Sequence, residues 1–335
     1  MYGEARGGVR GYAWRVQTAA TSPLAVTIAG VPFRNPVLLA AGTAGYLDET
    51  ADVLDLSRVG GVVTKSITAR AREGNATWRI VESRAGMLNA VGLANVGKDV
   101  FEREIAPRVG GAPTAVVGSI SGFSVDDYVA VAAMFEGIDA VASVELNLSC
   151  PNVSGGMEFG SAPGPARELV AAVRAAATRL KLWVKLSPRT ADIVAVSRAC
   201  VEAGADALTI GNTYPAMAID VETREPRLSR VTGGLSGPAI HPIAVRLVHE
   251  VYRGFAREAG APIIGVGGVM AWEDAAEFIL AGATAVEMGT ALFADPLSPS
   301  KVVRGLERWV RRQGCGSIAE LVGAVRLPGV TGGGH

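Results

Sequence analysis

In Val144–Asn152, VELNLSCPN, an alternating segment ends abruptly in a cysteine, a proline and an asparagine. Apolar residues alternate with Glu145, Asn147 and Ser149, a period typical of a β-strand with one polar face. A polar face that leads into the thiol of Cys150 favours a place where a planar ring is held and a proton removed. A lone cysteine is more often a buried apolar side chain, so on this segment alone both interpretations stay open.

On both sides of this strand, short apolar segments alternate with helical patterns along most of the chain. Continuous apolar strands of this kind are typical of a parallel sheet buried on both faces. Eight of them favour an α/β fold closed as a (β/α)8 TIM barrel over an open doubly wound sheet. The predicted strands are Val37–Gly42, Gly61–Ser66, Ala115–Ser119, Val144–Ser149, Leu182–Leu186, Ala207–Gly211, Pro262–Gly267 and Ala285–Gly289.

Around this barrel we predict an N-terminal β-hairpin at Ala25–Asn35, turning at Gly30, that plugs the bottom of the barrel. Inserts are expected after strands 2, 4 and 6. The predicted domain organisation is a flexible extension over residues 1–22, a single barrel domain over 23–325 and a tail over 326–335. The predicted helices are Glu49–Ser57, Val125–Phe135, Ala166–Leu180, Ala191–Ala203, Pro242–Ala256, Trp272–Ala281 and Ser300–Arg312.

The composition excludes several classes of protein. Of 335 residues, 49% are hydrophobic, and 32 Lys+Arg balance 32 Asp+Glu, so no net field favours nucleic acid or an anionic membrane as a partner. No apolar run approaches the roughly 20 residues of a membrane span, and the N-terminus lacks the apolar core of a secretory signal. Three scattered cysteines argue against a disulfide framework and against an iron–sulfur cluster in this chain. We therefore expect a cytoplasmic protein.

Polar residues follow the strands at the end where barrels carry their chemistry. Strand 2 ends in Lys65-Ser66, strand 4 ends in Asn147–Cys150, and strand 6 is followed by Asn212-Thr213. Lys185 lies inside the apolar run LWVKLS, where a free ammonium is costly without an anionic or carbonyl partner. The sequence predicts that a ligand with electron-rich oxygens supplies that partner. Taken singly, each of these residues also fits a surface lysine, a helix cap or a turn.

The last two strands end in glycine motifs, Gly265–Gly268 and Gly289-Thr290. Glycine lets backbone N–H groups approach a phosphate, and barrels commonly bind phosphate after strands 7 and 8. The alternative, that these glycines only make tight turns, is open for either motif alone. Together they predict a phosphorylated cofactor across the barrel mouth.

Two inserts are too long for simple connections. In the insert Thr68–Gly97, the stretch AGMLNAVGLANVG offers amides and bare backbone rather than charge, through Asn89, Gly92, Leu93 and Asn95, which suits a small planar polar ligand. Ala216–Gly237 alternates like a β-hairpin arm followed by a glycine-rich return, and its Arg224 and Arg227 fit solvated surface charges.

These residues and motifs resemble those of a known family, the class 1 dihydroorotate dehydrogenases, and most closely the catalytic subunit of the NAD-linked class 1B enzyme. The resemblance runs from about Leu24 to Leu321. It implies a barrel that binds FMN and oxidises (S)-dihydroorotate to orotate in pyrimidine (UMP) biosynthesis. The motifs that carry it, in family order, are NPVLLAAGT, GGVVTKSIT, GMLNAVGLANVG, ELNLSCPNV, LWVKLSP, IGNT, ETREPRLSRVTGGLSGPAIHPIA, IIGVGGV and VEMGTALF.

The resemblance also assigns roles to individual residues. It implies that Cys150 is the base that removes the C5 proton while hydride passes from C6 to N5 of the flavin. It places Lys185 at the N1/O2 edge of the flavin. No metal site is implied. Substrate-binding positions are Lys65, Asn89, Ala90, Val91, Gly92, Leu93, Asn147, Asn152, Asn212 and Thr213, and FMN-binding positions are Ala41, Lys65, Ser66, Ser119, Asn147, Lys185, Gly211, Gly237, Gly267, Gly268, Gly289 and Thr290. Three of these, Ala41, Ser119 and Gly211, depart from the residues common in the family.

The class 1B resemblance implies partners. It implies a homodimer of this chain, in a heterotetramer with a separate subunit whose FAD and [2Fe–2S] cluster relay electrons to NAD. TAREGNATWRI and GMLNAVGLANVG resemble class 1B, but a fumarate-linked class 1A enzyme stays open. A tRNA dihydrouridine synthase is a further alternative, disfavoured by the zero net charge. A flavin carrier without catalysis is also open but leaves Cys150 unexplained.

Overall fold

The computed structural model describes residues 22–149 and 159–328. Strands and helices alternate through most of this length, and the predicted barrel is confirmed. The strands are β1 (Val26–Ile28), β2 (Val31–Phe33), β3 (Val37–Leu39), β4 (Gly61–Val63), β5 (Ile80–Ser83), β6 (Gly86–Asn89), β7 (Ala115–Ile120), β8 (Ser143–Asn147), β9 (Lys181–Leu186), β10 (Ala207–Ile210), β11 (Tyr214–Met217), β12 (Ile219–Asp220), β13 (Glu225–Pro226), β14 (Thr232–Ser236), β15 (Ile263–Val266) and β16 (Ala285–Met288).

Eight of these strands form a closed parallel barrel in the order β3-β4-β7-β8-β9-β10-β15-β16. The ring closes where Val286 of β16 pairs with Val37 of β3. Parallel neighbours need a crossover between them, and helices on the outside of the barrel supply most of these connections. Each barrel strand matches one of the eight predicted segments, because every one of them is apolar enough to be buried on both faces.

Helices surround the barrel, and two of them start at side-chain caps. The hydroxyl of Ser124 accepts from the backbone N–H of Asp127 at the start of α3 (Val125–Glu136), and the Asp192 carboxylate accepts from the backbone N–H of Ala195 at the start of α5 (Ile193–Glu202). The helices are α1 (Lys98–Val100), α2 (Ala106–Val109), α3 (Val125–Glu136), α4 (Pro163–Ala176), α5 (Ile193–Glu202), α6 (His241–Val251), α7 (Arg257–Ala259), α8 (Trp272–Ala281), α9 (Ala291–Ala294) and α10 (Ser298–Arg312); single π turns at Phe101–Ile105 and Tyr252–Ala256 join α1 to α2 and α6 to α7, and 3₁₀ turns occupy Leu56–Arg58, Phe159–Ser161, Pro238–Ile240 and Ile318–Leu321.

Six of the seven predicted helices overlap observed ones, but the predicted helix Glu49–Ser57 is wrong. Its residues form turns that lead into the short 3₁₀ turn Leu56–Arg58. The carboxylate of Glu49 accepts hydrogen bonds from the backbone N–H groups of Tyr46 and Leu47, at 2.9 and 2.8 Å. Because Glu49 reaches back to the residues before it, it closes a turn instead of starting a helix.

A hairpin of β1 and β2 precedes the barrel, with Val26 paired to Phe33 and Ile28 to Val31. The ring of Phe33 contacts that of Trp183, with centroids 5.8 Å apart. Trp183 lies near the start of β9, so the contact closes the amino-terminal end of the barrel with two buried aromatic rings.

The two long inserts meet in a second sheet, which the sequence did not predict. The insert after β4 contributes β5 and β6, and the insert after β10 contributes β11 and β14, in the antiparallel order β11-β14-β6-β5. The segment expected as a glycine-rich return is therefore the strand β14. The insert expected after strand 4 lies largely outside the described residues.

Among the described helices, none combines the length and the apolar character that crossing a bilayer demands. All but the last residue of the predicted extension over 1–22, and most of the tail over 326–335, also lie outside the described residues.

Candidate active site

A cavity of about 410 Å³ opens at the carboxyl ends of the barrel strands, beneath the second sheet. This volume is within the usual range for small-molecule sites. Most residues predicted for substrate or cofactor line it. They are Ala41, Lys65, Ser66, Asn89, Ala90, Val91, Gly92, Leu93, Asn147, Lys185, Asn212, Thr213, Gly237, Gly267, Gly268, Gly289 and Thr290.

Of the predicted site residues that the structure describes, Ser119 and Gly211 are not in this lining. Cys150 and Asn152 lie outside the described residues, although Ser149, which precedes Cys150 in the chain, lines the cavity. Ser119 is fully buried behind Ser66, with their hydroxyl oxygens 2.9 Å apart. Gly211 follows β10, where a side chain would collide with the backbone of strand β15. The flavin contacts assigned to Ser119 and Gly211 stay predictions.

A cluster of amides and a hydroxyl lies where β8 and β10 end. The side-chain amide of Asn212 donates to Ser149 Oγ at 2.9 Å and to Asn147 Oδ1 at 3.3 Å. Ser149 Oγ itself donates to Asn147 Oδ1 at 2.5 Å. Tyr128 on α3 donates its hydroxyl to the backbone oxygen of Asn147, at 2.5 Å. This network orients polar groups toward the cavity and suits a planar ligand with its own donors and acceptors.

The loop Asn89–Leu93 forms another wall and is held by the second sheet. Asn89 donates its amide to the backbone oxygen of Gly234 at 3.2 Å, and Asn75 donates to the backbone oxygen of Ala90 at 2.8 Å. Leu93 has a φ of +57°, an uncommon conformation for a residue with a side chain. The loop is therefore shaped by its neighbours rather than by its own conformational preference.

Two lysines line the cavity in different surroundings. Lys65 follows β4, and its ammonium has no hydrogen-bond partner among residues 22–149 and 159–328. Burial lowers the pKa of Lys65 from its ordinary value. A half-buried ammonium without a protein partner in the described residues is suited to an anionic ligand.

Lys185 has partners from the protein itself. Its Nζ lies 2.6 Å from Glu287 Oε2 and 3.2 Å from Glu145 Oε1, and the other oxygen of Glu145 accepts from the Thr209 hydroxyl at 2.8 Å. Burial disfavours the charged lysine, but the two carboxylates outweigh this effect and raise the pKa of Lys185. The expectation that a ligand must supply the anionic partner is therefore wrong. Two strand residues supply it instead.

Neither carboxylate was singled out from the sequence, although a signal existed. Glu287 is as anomalous in the apolar strand AVEM as Lys185 is in LWVKLS, and both are almost completely buried. Two opposite charges in buried strands of one barrel are expected to pair. We call Glu145, Lys185 and Glu287 the charged floor, since Lys185 and Glu287 line the cavity and Glu145 lies behind them.

The glycine motifs that follow β15 and β16 also line the cavity. Gly268 has a φ of +70°, and a Cβ placed on it would lie 2.7 Å from the Cβ of His241. A ring nitrogen of His241 lies 2.9 Å from the backbone oxygen of Gly267 and fixes this turn. Nearby, Thr290 donates its hydroxyl to Ser236 Oγ at 2.7 Å. Because the glycines of these motifs have no side chains, a ligand can reach their backbone N–H groups, as phosphate does in glycine-rich loops.

The sequence of this chain is similar to those of known proteins over most of its length. The family model described as Dihydroorotate dehydrogenase matches residues 23–310. The chain belongs to the dihydroorotate dehydrogenase family. Proteins of Trichlorobacter lovleyi and Bacteroides thetaiotaomicron, each named "Dihydroorotate dehydrogenase B (NAD(+)), catalytic subunit", are 47% and 46% identical to it. The alignments cover 90% and 91% of this chain and 98% and 99% of the relatives.

Membership of this family makes the protein an oxidoreductase and confirms the resemblance to class 1B catalytic subunits. The matched region extends over the whole barrel and both inserts. The cavity therefore lies within the part of the chain shared with these enzymes, and at the end of the barrel where such folds carry out their chemistry.

Proposed function

We propose that this enzyme uses FMN to oxidise (S)-dihydroorotate to orotate in pyrimidine biosynthesis. The observation that carries the proposal is the combination found in one cavity: a glycine cradle, two lysines and an amide cluster that leads directly into Cys150. The family of the chain supports dihydroorotate as the substrate.

FMN fits the residues present. A flavin phosphate needs backbone groups without side chains, which Gly237, Gly267, Gly268 and Gly289 supply, and Thr290 adds a hydroxyl. Lys185 would lie at the pyrimidine edge of the flavin, with Ala41 and Ser66 along the ring system. Bound FMN supplies a hydride acceptor at N5, which no side chain can provide.

Substrate recognition is assigned to the amide cluster and the loop. Asn147, Asn212 and Asn89 would bind the ring amides of dihydroorotate, and Asn152 and Thr213 belong to the same set. Lys65, whose ammonium has no hydrogen-bond partner in the described part of the chain, would bind the substrate carboxylate. Ala90 to Leu93 contribute backbone and shape.

Cys150 is assigned as the base. Its thiolate takes the C5 proton of dihydroorotate while hydride leaves C6, and the C5–C6 double bond of orotate forms. A free thiol has a pKa of about 8.5, so a base that works near neutral pH needs an environment that favours the thiolate.

We also propose that electrons pass to NAD through a separate subunit that carries FAD and a [2Fe–2S] cluster. The words "catalytic subunit" in the names of the relatives support a partner, and three dispersed cysteines argue against a cluster in this chain. A homodimer within a heterotetramer, in the cytoplasm, completes the proposal. A fumarate-linked enzyme is the competing assignment.

The test is anaerobic titration of the purified, flavin-containing protein with dihydroorotate. We expect bleaching of the flavin absorbance, followed by reoxidation by NAD⁺ only when the partner subunit is present. Reoxidation by fumarate would instead support class 1A chemistry, and a flavin that dihydroorotate cannot bleach would contradict the proposed substrate.

The base is tested by Cys150→Ser, with Cys315→Ser as the matched control because Cys315 is a partly exposed cysteine remote in sequence from the site. We expect Cys150→Ser to remain yellow and to lose about 10²- to 10⁴-fold in the rate of flavin reduction near pH 7, the usual size of general-base catalysis. Unchanged turnover in Cys150→Ser would remove Cys150 from the mechanism.

A further inference from the structure

The charged floor carries more negative than positive groups. Two carboxylates, Glu145 and Glu287, contact the single ammonium of Lys185. One carboxylate balances the lysine, and the second has no other cation within hydrogen-bond distance in the described part of the chain. Burying a charge without a partner costs free energy. This cost favours the protonated, neutral form of the second carboxyl.

The contacts of Glu287 fit a protonated acid. Its Oε2 accepts from Lys185, while its Oε1 is buried and has no hydrogen-bond partner of either kind among the described residues. An ionised carboxylate would leave that oxygen unsatisfied, whereas a protonated oxygen needs an acceptor rather than a donor. A hydrogen bond between the Glu145 and Glu287 carboxyl groups is one of the causes that raise the pKa of Glu287, and such a bond requires a proton on one of them.

The electrostatics act in the same direction. Burial raises the pKa of Glu287 well above its ordinary value, and the charge of Glu145 raises it further, while Lys185 opposes both. The titratable groups that face Glu287 in the described structure are Glu145 on β8 and Lys185 on β9. Thr209 on β10 donates to Glu145, which stabilises the charge on that member of the pair.

We propose that Glu145 and Glu287 form a carboxyl pair that holds one proton, and that this pair sets the charge beneath the cavity and so tunes the reduction potential of the flavin. With one proton, the charged floor is neutral, and without it the floor is negative. A negative floor disfavours electrons on the flavin, so loss of the proton lowers the potential. The second half of this inference rests on the proposed FMN site.

The proton is tested by infrared spectroscopy of the purified full-length chain, comparing H₂O with D₂O. We expect a deuterium-sensitive carboxylic acid band at neutral pH. Glu287→Gln and Glu145→Gln should each lose it, because one carboxylate and one ammonium remain. The surface variant Glu307→Gln should keep it. No such band in the parent protein, or a band that survives Glu287→Gln, would overturn the pair.

Lys185→Met provides a second measurement that does not depend on the stability of either glutamine variant. Without the ammonium, no cation balances either carboxylate, so both carboxyls should be protonated. The intensity of the carboxylic acid band should therefore grow about twofold. A band that stays constant would contradict the assignment. Circular dichroism checks that each variant is folded.

The tuning is tested by measuring the flavin potential against pH. The parent protein should show an additional fall in potential as alkaline pH removes the shared proton, and Glu287→Gln should lack that fall. Identical pH dependence in both proteins would overturn the tuning role. Failure of the proposed function is distinguishable, because it removes flavin reduction by dihydroorotate and leaves the infrared band unchanged.

Discussion

The two ends of the barrel differ sharply although the same strands build both. At the amino-terminal end, the rings of Phe33 and Trp183 pack in an apolar layer closed by the hairpin. Two residues further along the same strand, Lys185 belongs to the charged floor of the cavity. Since side chains repeat every two residues along a strand, Trp183 and Lys185 point to the same side. Two positions along one strand therefore separate an apolar layer that stabilises the fold from a charged layer that borders the cavity.

The largest expected effect at the functional end comes from Lys185→Ala. It leaves two buried carboxylates without their cation, so we expect a loss of about 3–5 kcal/mol in the free energy of unfolding, offset in part if the carboxyls bind protons. Flavin reduction or retention should weaken as well. Chemical denaturation and flavin content measure both.

The control for this change lies on the same strand. Lys181 pairs with Asp206 at 3.4 Å and is 42% exposed, so Lys181→Ala should cost less than about 1 kcal/mol. Equal behaviour of the two variants would refute the special status of Lys185.

At the opposite end, Phe33→Ala should cost about 3 kcal/mol in stability, because it opens a cavity in a buried aromatic contact. Flavin absorbance and the rate of flavin reduction should stay unchanged in the folded protein. A selective loss of activity at full stability would contradict the division between the two ends.

Gly268→Ala should act on cofactor binding more than on folding. A Cβ at this position combines a φ of +70° with a 2.7 Å approach to His241, and such strain costs on the order of 1–3 kcal/mol. We expect FMN to bind about tenfold more weakly, as measured by titration of the flavin-free protein.

Gly260→Ala is the matched control for Gly268→Ala. Gly260 has a similar φ of +63° but no atom within 4 Å of the added Cβ. It should lower stability slightly and leave FMN affinity unchanged, and equal effects on FMN affinity would point to general backbone strain.

The smallest expected effect is a pH dependence caused by Lys65. Burial lowers the pKa of this lysine in the free enzyme, and binding of the orotate carboxylate favours its charged form. Binding therefore takes up a proton at pH values above the lowered pKa, so orotate affinity should fall as pH rises, by up to about tenfold per unit.

Lys65→Met should bind orotate weakly at every pH and lose this dependence. Flavin absorbance changes on orotate binding provide the measurement. A parent protein whose affinity does not change with alkaline pH would argue that Lys65 does not contact the carboxylate.

Much of this architecture is predictable from the sequence because its signals are local. Each barrel strand is a short apolar run in the sequence, and the polar residues at the strand ends mark the rim of the cavity. The prediction fails where structure depends on distant partners. The second sheet pairs Asn89 with Gly234, and no local pattern in either insert specifies that pairing. Glu49 shows the converse, since a helix-forming residue closes a turn instead.

By itself, the sequence determined the barrel, the order of its strands and the presence of amides, glycines and lysines at one rim. These follow from apolar periodicity and from residues within a few positions of each other. Only the tertiary structure decided that Glu145 and Glu287 flank Lys185. Those residues lie 40 and 102 positions from the lysine. They meet because closure of the barrel brings separate strands around one interior, where each buried charge must find a partner.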